Sequence, residues 1–219
     1  RRSVRVACRP MADGWELVAE QRIAFADLIE PLDDEQAETP SLCEGWTVHQ
    51  TAAHLLSFTH LGMAKFAWAM ARARFNYDRG ADRIARRLAE QNSLPRIAEK
   101  LRDRAGAENL SKQFPPEMTT TDVTIHMQDI RRPLGLGTEV DLHIVNTVLD
   151  FLTTHKQGKA VVSKGRLDGL ALSTTDTDWS FGTGAEIGGP GEALILAIAG
   201  RPTLDELDGP GVELLAERD

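Results

Sequence analysis

Cysteine, tyrosine, long apolar runs and excess positive charge are all scarce in this sequence, and each scarcity removes a class of protein. Two cysteines, Cys8 and Cys43, in 219 residues cannot build the disulfide framework of a secreted scaffold, so a reducing cytoplasm is the simplest compartment. Apolar stretches such as LILAIAG near the end fall far short of the roughly 18–20 residues that cross a bilayer. Lysine and arginine number 25 against 33 aspartates and glutamates, a formal net charge of −8. That balance argues against a nucleic-acid-binding surface, since phosphate-backbone recognition depends on clustered lysine and arginine with a basic domain balance. A 42% hydrophobic and 26% charged composition is that of a globular chain, long enough for one large domain or a medium domain with a small appendage.

The opening RRSVRVACRP precedes Met11 and has positive charge but no apolar segment or small-residue cleavage site. It makes a poor signal peptide, and residues 1–11 read as a leader or extension without fixed structure. From Asp13 the apolar positions Leu17, Val18, Phe25, Leu28 and Ile29 recur at helical spacing until Pro31. A turn-rich connector leads to a long alanine-rich helix from Trp46 to Phe75, with Thr47 as its cap and Trp46 folded back on its first turn. A third helical stretch is broken at Asn92-Ser93, where Ser93 can cap the second half. Residues 117–132 form another helix closed by Pro133, and Asp141 caps a last one ending at His155.

Four or five helices with short connections predict a mainly α chain, an antiparallel bundle over residues 12–156. Beyond His155 the sequence turns glycine-rich, with strand-like runs at RLDGLALSTT and DWSFG, a short helix at PGEALILAIAG and a final VELL. Residues 157–219 are too few to stand alone comfortably and read as a small α/β appendage packed on the bundle.

The chemistry-bearing spacing lies in TTTDVTIHMQDIRRPLG, where Asp122 and His126 sit four residues apart and so share a helix face. An acid and an imidazole so placed suit a metal ion, though they also suit a surface ion pair. A third ligand would come from another helix, and His54, flanked by Ala52, Ala53, Leu55 and Leu56, is the candidate. Two histidines and a carboxylate fit Zn²⁺ or another divalent ion with a fourth position open. His49 and His60 lie off the face of His54 and read as surface or supporting groups, and His143 and His155 as solvent-facing.

Asp129, three residues beyond His126, could orient that ring or pair with Arg132. Arg131 and Arg132 could face the mouth of the site and attract an acidic thiol or carboxylate, or simply complement the helix dipole. Trp46 and Trp179 read as packing residues, and Cys43 as structural. TDTDWSFGTG lacks the glycine and terminal glutamate of a calcium loop, and GTGAEIGGPG has no lysine of a phosphate loop.

The segments CEGWTVHQTAAHLL, DVTIHMQDIRRPLG and TDTDWSFGTG…GPGEALILAIAGRP together resemble the mycothiol-dependent maleylpyruvate isomerase family of actinobacteria. The amino-terminal metal-binding domain of that family is similar to the DinB four-helix bundle. The resemblance runs from residue 12 over nearly the whole chain and implies a divalent metal, most often zinc, held by His54, Asp122 and His126. The family's pattern has glutamate where this chain has Asp122. The resemblance further implies mycothiol as a thiol cosubstrate, activated at the metal's open position for cis–trans isomerisation or S-transfer of a small electrophile. Arg201 stands where the family brings an arginine toward the substrate. The other reading of such a site is a metal-bearing bundle that binds or senses a thiol or small ligand without turnover. Small molecules are the expected partners, with neither nucleic acid nor membrane, and a homodimer through the first two helices would cover exposed helix faces.

Overall fold

The computed structural model describes residues 14–60, 63–74, 76–108 and 114–218. The expected leader, residues 1–11, lies outside them. Helix α1 (Gly14–Ile29) turns Val18, Phe25, Ala26 and Ile29 inward at three-, four- and seven-residue spacing. Its buried Arg22 donates to the carbonyls of Ala105 and Ala107. Those carbonyls follow the end of a later helix, where a cation complements the dipole. After the short α2 (Asp34–Glu38), a tight loop bridges Pro40 to Thr47 and starts α3 (Val48–His54). Thr47 caps α3 through a capping box completed by Gln50.

The single long helix expected from Trp46 to Phe75 is instead broken into α3, α4 (Ser57–His60) and α5 (Met63–Arg72). The break at Leu55-Leu56 buries both leucines, which a straight helix would place about 100° apart. Helices α6 (Tyr77–Gln91) and α7 (Leu94–Asp103) meet at the anticipated Asn92-Ser93 break. There Ser93 occupies the cap position without a side-chain cap bond, and a proline in the first turn sets the helical direction.

Helix α8 (Pro116–Arg131) runs through the middle, with every residue from 123 to 130 buried. Helices α1, α3, the α6–α7 pair and α8 enclose one core that includes Phe25, Ile29, Leu56, Ile97, Leu101, Val123 and Ile130. The opposite side of α8 carries α9 (Leu142–Thr154), capped by Asp141 as expected. Val148, Leu149 and Leu152 of α9 join Ile125 in a second core with the C-terminal segment. The second core therefore begins well before the change of composition at His155.

Helix α10 (Lys156–Val161) follows at once, and its Gly158 lies so close to the Phe151 carbonyl that no side chain would fit. Strands β1 (Leu170–Thr174), β2 (Ser180–Gly182) and β3 (Ala185–Gly189) form a sheet in the order β2-β1-β3. β2 pairs with β1 antiparallel, opposing Leu172 to Phe181, and β3 pairs with β1 parallel, opposing Leu172 to Ile187. Gly184, at φ 137° and against the Gly169 carbonyl, lets the chain turn from one edge to the other.

The sequence of β3, AEIGG, offers one large apolar side chain and no alternation, so only its pairing with β1 makes it a strand. α11 (Gly191–Ile198), buried along its whole length, and α12 (Gly211–Ala216) complete the segment. The mainly helical fold with a small α/β C-terminal segment is as expected. Among the described residues no helix is long and apolar enough to cross a membrane.

Candidate metal centre

His54 ends α3 and points at α8, where Asp122 and His126 stand one turn apart. Asp122 Oδ1 lies 3.5 Å from His54 Nε2 and 3.6 Å from His126 Nε2. Those separations are too long for good hydrogen bonds. They match two ligands of one tetrahedral cation, which at metal distances of about 2.0–2.2 Å lie about 3.3–3.6 Å apart. The donor atoms of all three residues fall within 4.8 Å of one another. The second carboxylate oxygen, Asp122 Oδ2, is buried without a hydrogen-bond partner among the described residues. Such an orphan costs free energy unless something binds it. The donor set, its spacing and this oxygen fit a divalent ion, and the shorter Asp122 reaches the common point where the family carries glutamate.

The rings are held from behind. Asp129, with no solvent exposure, accepts a hydrogen bond from His126 Nδ1 at 2.9 Å, leaving Nε2 as the lone-pair donor facing Asp122. Arg201, from the loop after α11, donates Nε to Asp129 Oδ1 at 2.8 Å and Nη2 to Asp129 Oδ2 at 2.9 Å. Of the two roles open to Asp129, the structure selects the imidazole, and its arginine partner is Arg201, not Arg132.

Burial pushes the Asp129 carboxyl up, but the bonds from Arg201 and His126 outweigh it and hold it below the usual carboxylate range. Asp122 behaves likewise, with burial opposed and outweighed by His54 and His126. Burial disfavours a charged His126, yet Asp122 and Asp129 together move its pKa upward.

Trp46 is more than a staple on α3. Its ring lies 5.1 Å from His54 and 6.1 Å from His126, and its indole N–H donates to Asp82 of α6 at 3.0 Å. It roofs both imidazoles with an apolar face. Sequence reasoning placed it as packing, and its membership of the same WTVHQTAAH segment was the available signal. Cys43, which reads as structural in the sequence, also stands close to the chemistry. The loop between Pro40 and Thr47 is tied to α8 by Leu42 N–H donating to the Asp129 carbonyl at 3.0 Å. That tie brings Cys43 within the same donor distance of His126 and Asp129. Burial pushes its thiol up to about 11, with Arg201 the leading counter-influence, so it stands protonated at neutral pH.

Of the two readings open to Arg131 and Arg132, facing the mouth of the site or complementing the helix dipole, the first finds no support in their contacts. Arg132 forks onto Glu192 of α11 and Glu206, bonding both carboxylates. Arg131 donates to the Glu139 carbonyl at 3.3 Å and lines a different cavity, with Leu17, Gln21 and Met127. Five and six residues beyond His126, both fall well off its face at helical spacing. His49 bonds the Asn92 carbonyl and His60 bonds Thr59, while His143 and His155 are exposed.

A cavity of about 200 Å³ opens beside the cluster, lined by Thr121, Asp122, Ile125 and His126 of α8, with Phe151 of α9 and Arg201. Thr121 Oγ1, like Asp122 Oδ2, has no hydrogen-bond partner among the described residues. The arrangement offers a cation site, a small adjoining chamber with apolar and polar walls, and one guanidinium at its edge.

Residues 18–131 match the sequence profile of the mycothiol maleylpyruvate isomerase N-terminal domain. No curated protein matches the chain. Two solved structures share its fold. The mycothiol-dependent maleylpyruvate isomerase aligns with 91% of this chain and 96% of its own at 18% identity and a TM-score of 0.50. A histidine-to-alanine mutant of mycothiol-dependent maleylpyruvate isomerase aligns over the same shares at 19% identity and a TM-score of 0.52.

Proposed function

Because the chain belongs to the family of the mycothiol maleylpyruvate isomerase N-terminal domain, we propose that it is a metal-dependent enzyme. Mycothiol or a similar small thiol would serve as cosubstrate for cis–trans isomerisation or S-transfer on a small electrophile. The observation that carries this reading is the convergence of His54 Nε2, Asp122 Oδ1 and His126 Nε2 on one point beside a small chamber. A dication held there supplies one thing: it stabilises thiolate over thiol at neutral pH and fixes the sulfur in place.

The protein's own residues account for the rest. Asp129 fixes the tautomer and orientation of His126, and Arg201 neutralises Asp129, so that the imidazole keeps a basic, correctly aimed Nε2. Trp46 excludes water from one side of the two rings. Arg201 lines the chamber as well as gripping Asp129, and the outer edge of its guanidinium can attract a carboxylate-bearing electrophile such as maleylpyruvate. Thr121 Oγ1 offers a hydroxyl to the same substrate. A substrate so held presents its double bond to the thiol sulfur from a fixed direction, and positioning of that kind is a large part of the rate.

Elemental analysis of the protein purified without added metal tests the premise, with about one divalent ion per chain expected. Addition of mycothiol with maleylpyruvate, and with a chloro-dinitro-arene as generic electrophile, tests turnover. A metal-free protein, unchanged by His54→Ala and His126→Ala, would end the proposal. A metal-loaded protein inert toward both electrophiles would leave a thiol-binding module.

A further inference from the structure

A second cavity, of about 550 Å³, lies among α4, α5, α6 and α7 and shares no lining residue with the chamber beside His126. That volume is within the ordinary range for small-molecule sites. Its floor is apolar: Leu56 and Ile84 are buried and Leu88 is half-buried. Its described rim carries four cations, Arg72, Arg83, Arg87 and Lys100, and no aspartate or glutamate. None of the four forms an ion pair with a described carboxylate. Lys100 donates to the Asn92 amide oxygen, Arg83 donates to the Arg72 carbonyl at 2.9 Å, and Arg72 stacks over Trp68 with its guanidinium carbon 4.7 Å from the ring centroid.

In a chain of net charge −8, four cations gathered with no carboxylate in the described lining repel one another and stand against the overall field. Elsewhere on the surface the arginines do find acids, as Arg86 does with Asp82 and Arg102 with Asp27 and Glu30. Trp68, an exposed aromatic, adds a flat apolar face to the same rim. His60 lies in the wall, its pKa lowered by burial and then by Arg104 and Lys100, with Asp103 opposing, in keeping with a described lining that is locally positive.

We infer that this cavity binds an amphipathic organic anion, a carboxylate on a short aliphatic or aromatic body. The body is buried on Leu56, Ile84 and Leu88, and the head group is held by the Arg72, Arg83, Arg87 and Lys100 rim. A polyphosphate would leave the apolar floor unmatched, and a neutral lipid would leave the cations unmatched.

Isothermal titration of the whole protein with octanoate, below its micelle concentration, and with the neutral isostere octanamide tests this. Octanoate is expected to bind saturably and about tenfold more tightly than octanamide. The double substitution Arg83→Gln/Arg87→Gln should erase most of that preference while leaving octanamide unchanged. Raised salt should weaken octanoate alone, a measurement that needs no variant. His126→Ala should leave octanoate affinity intact, which separates this site from the proposed metal centre. Absence of saturable octanoate binding, equal affinity for octanamide, insensitivity to the double substitution, loss of binding in His126→Ala, or tighter binding of tripolyphosphate would each overturn the assignment.

Discussion

The helical half and the C-terminal segment meet on α8 in two ion pairs three residues apart, and the two are physically unlike. Asp129 is wholly buried and shared between His126 and Arg201. Arg132, one turn on, forks between Glu192, which is mostly buried, and Glu206, which is open to solvent. A buried carboxylate stripped of a partner is left as an uncompensated charge in a poor solvent, whereas a partly exposed one is rescued by water. The inner pair therefore ties the C-terminal segment to the orientation of a histidine. The outer pair only helps to hold the segment in place.

The most severe way to break this contrast is at the donors the inner pair supports. His54→Ala or His126→Ala should take the bound divalent ion from about one per chain to near zero, read by elemental analysis after dialysis. Next in size, Asp129→Ala should destabilise the fold by about 3–5 kcal/mol, because it removes the wholly buried carboxylate that Arg201 and His126 both bond. It should also weaken metal binding about 10- to 100-fold. Chemical denaturation and chelator competition check the two effects separately.

The contrast is sharpened by a double-mutant cycle of Asp129→Ala with Arg201→Ala, in which a coupling of about 1–3 kcal/mol is expected for groups in direct contact. Arg132→Ala, which leaves the mostly buried Glu192 without its cation, should cost about 1–3 kcal/mol in the same denaturation assay and leave metal affinity unchanged. A change in metal affinity from Arg132→Ala as large as that from Asp129→Ala would abolish the distinction. The smallest effect concerns Cys43 beside the inner pair. With its thiol pushed up to about 11, alkylation should be slow at pH 7 and quicken as pH rises toward that value, followed by mass spectrometry of the Cys43 peptide.

Much of the site was legible in one dimension because helical periodicity projects directly into space. Asp122 and His126 share a face by spacing alone, and His54 announces itself as an imidazole set among alanines and leucines. The capping residues Thr47 and Asp141 likewise declare their helices through local chemistry. The apolar stripe of α1 is as plain. Arg131 and Arg132 stay ambiguous in the sequence for a definable reason: a basic pair at a helix end has a local justification in the dipole, and the local pattern does not say which acids approach from elsewhere. Trp46 and Cys43 were undervalued because their contacts with α8 depend on a loop, whose path periodicity does not encode.

Short-range preferences in the chain thus suffice for the helical character, the caps and the pair of ligand candidates on α8, since each depends on residues within one or two turns. Contacts across tens of residues assign the partners: Asp129 to Arg201 over 72 positions, Arg132 to Glu192 over 60, and the five residues of β3 to β1. Packing also decided that α9 buries its apolar face with the C-terminal segment. The physical reason is the same in each case. A buried charge, an unpaired strand edge or an apolar stripe states a need, and only the folded chain determines which distant group meets it.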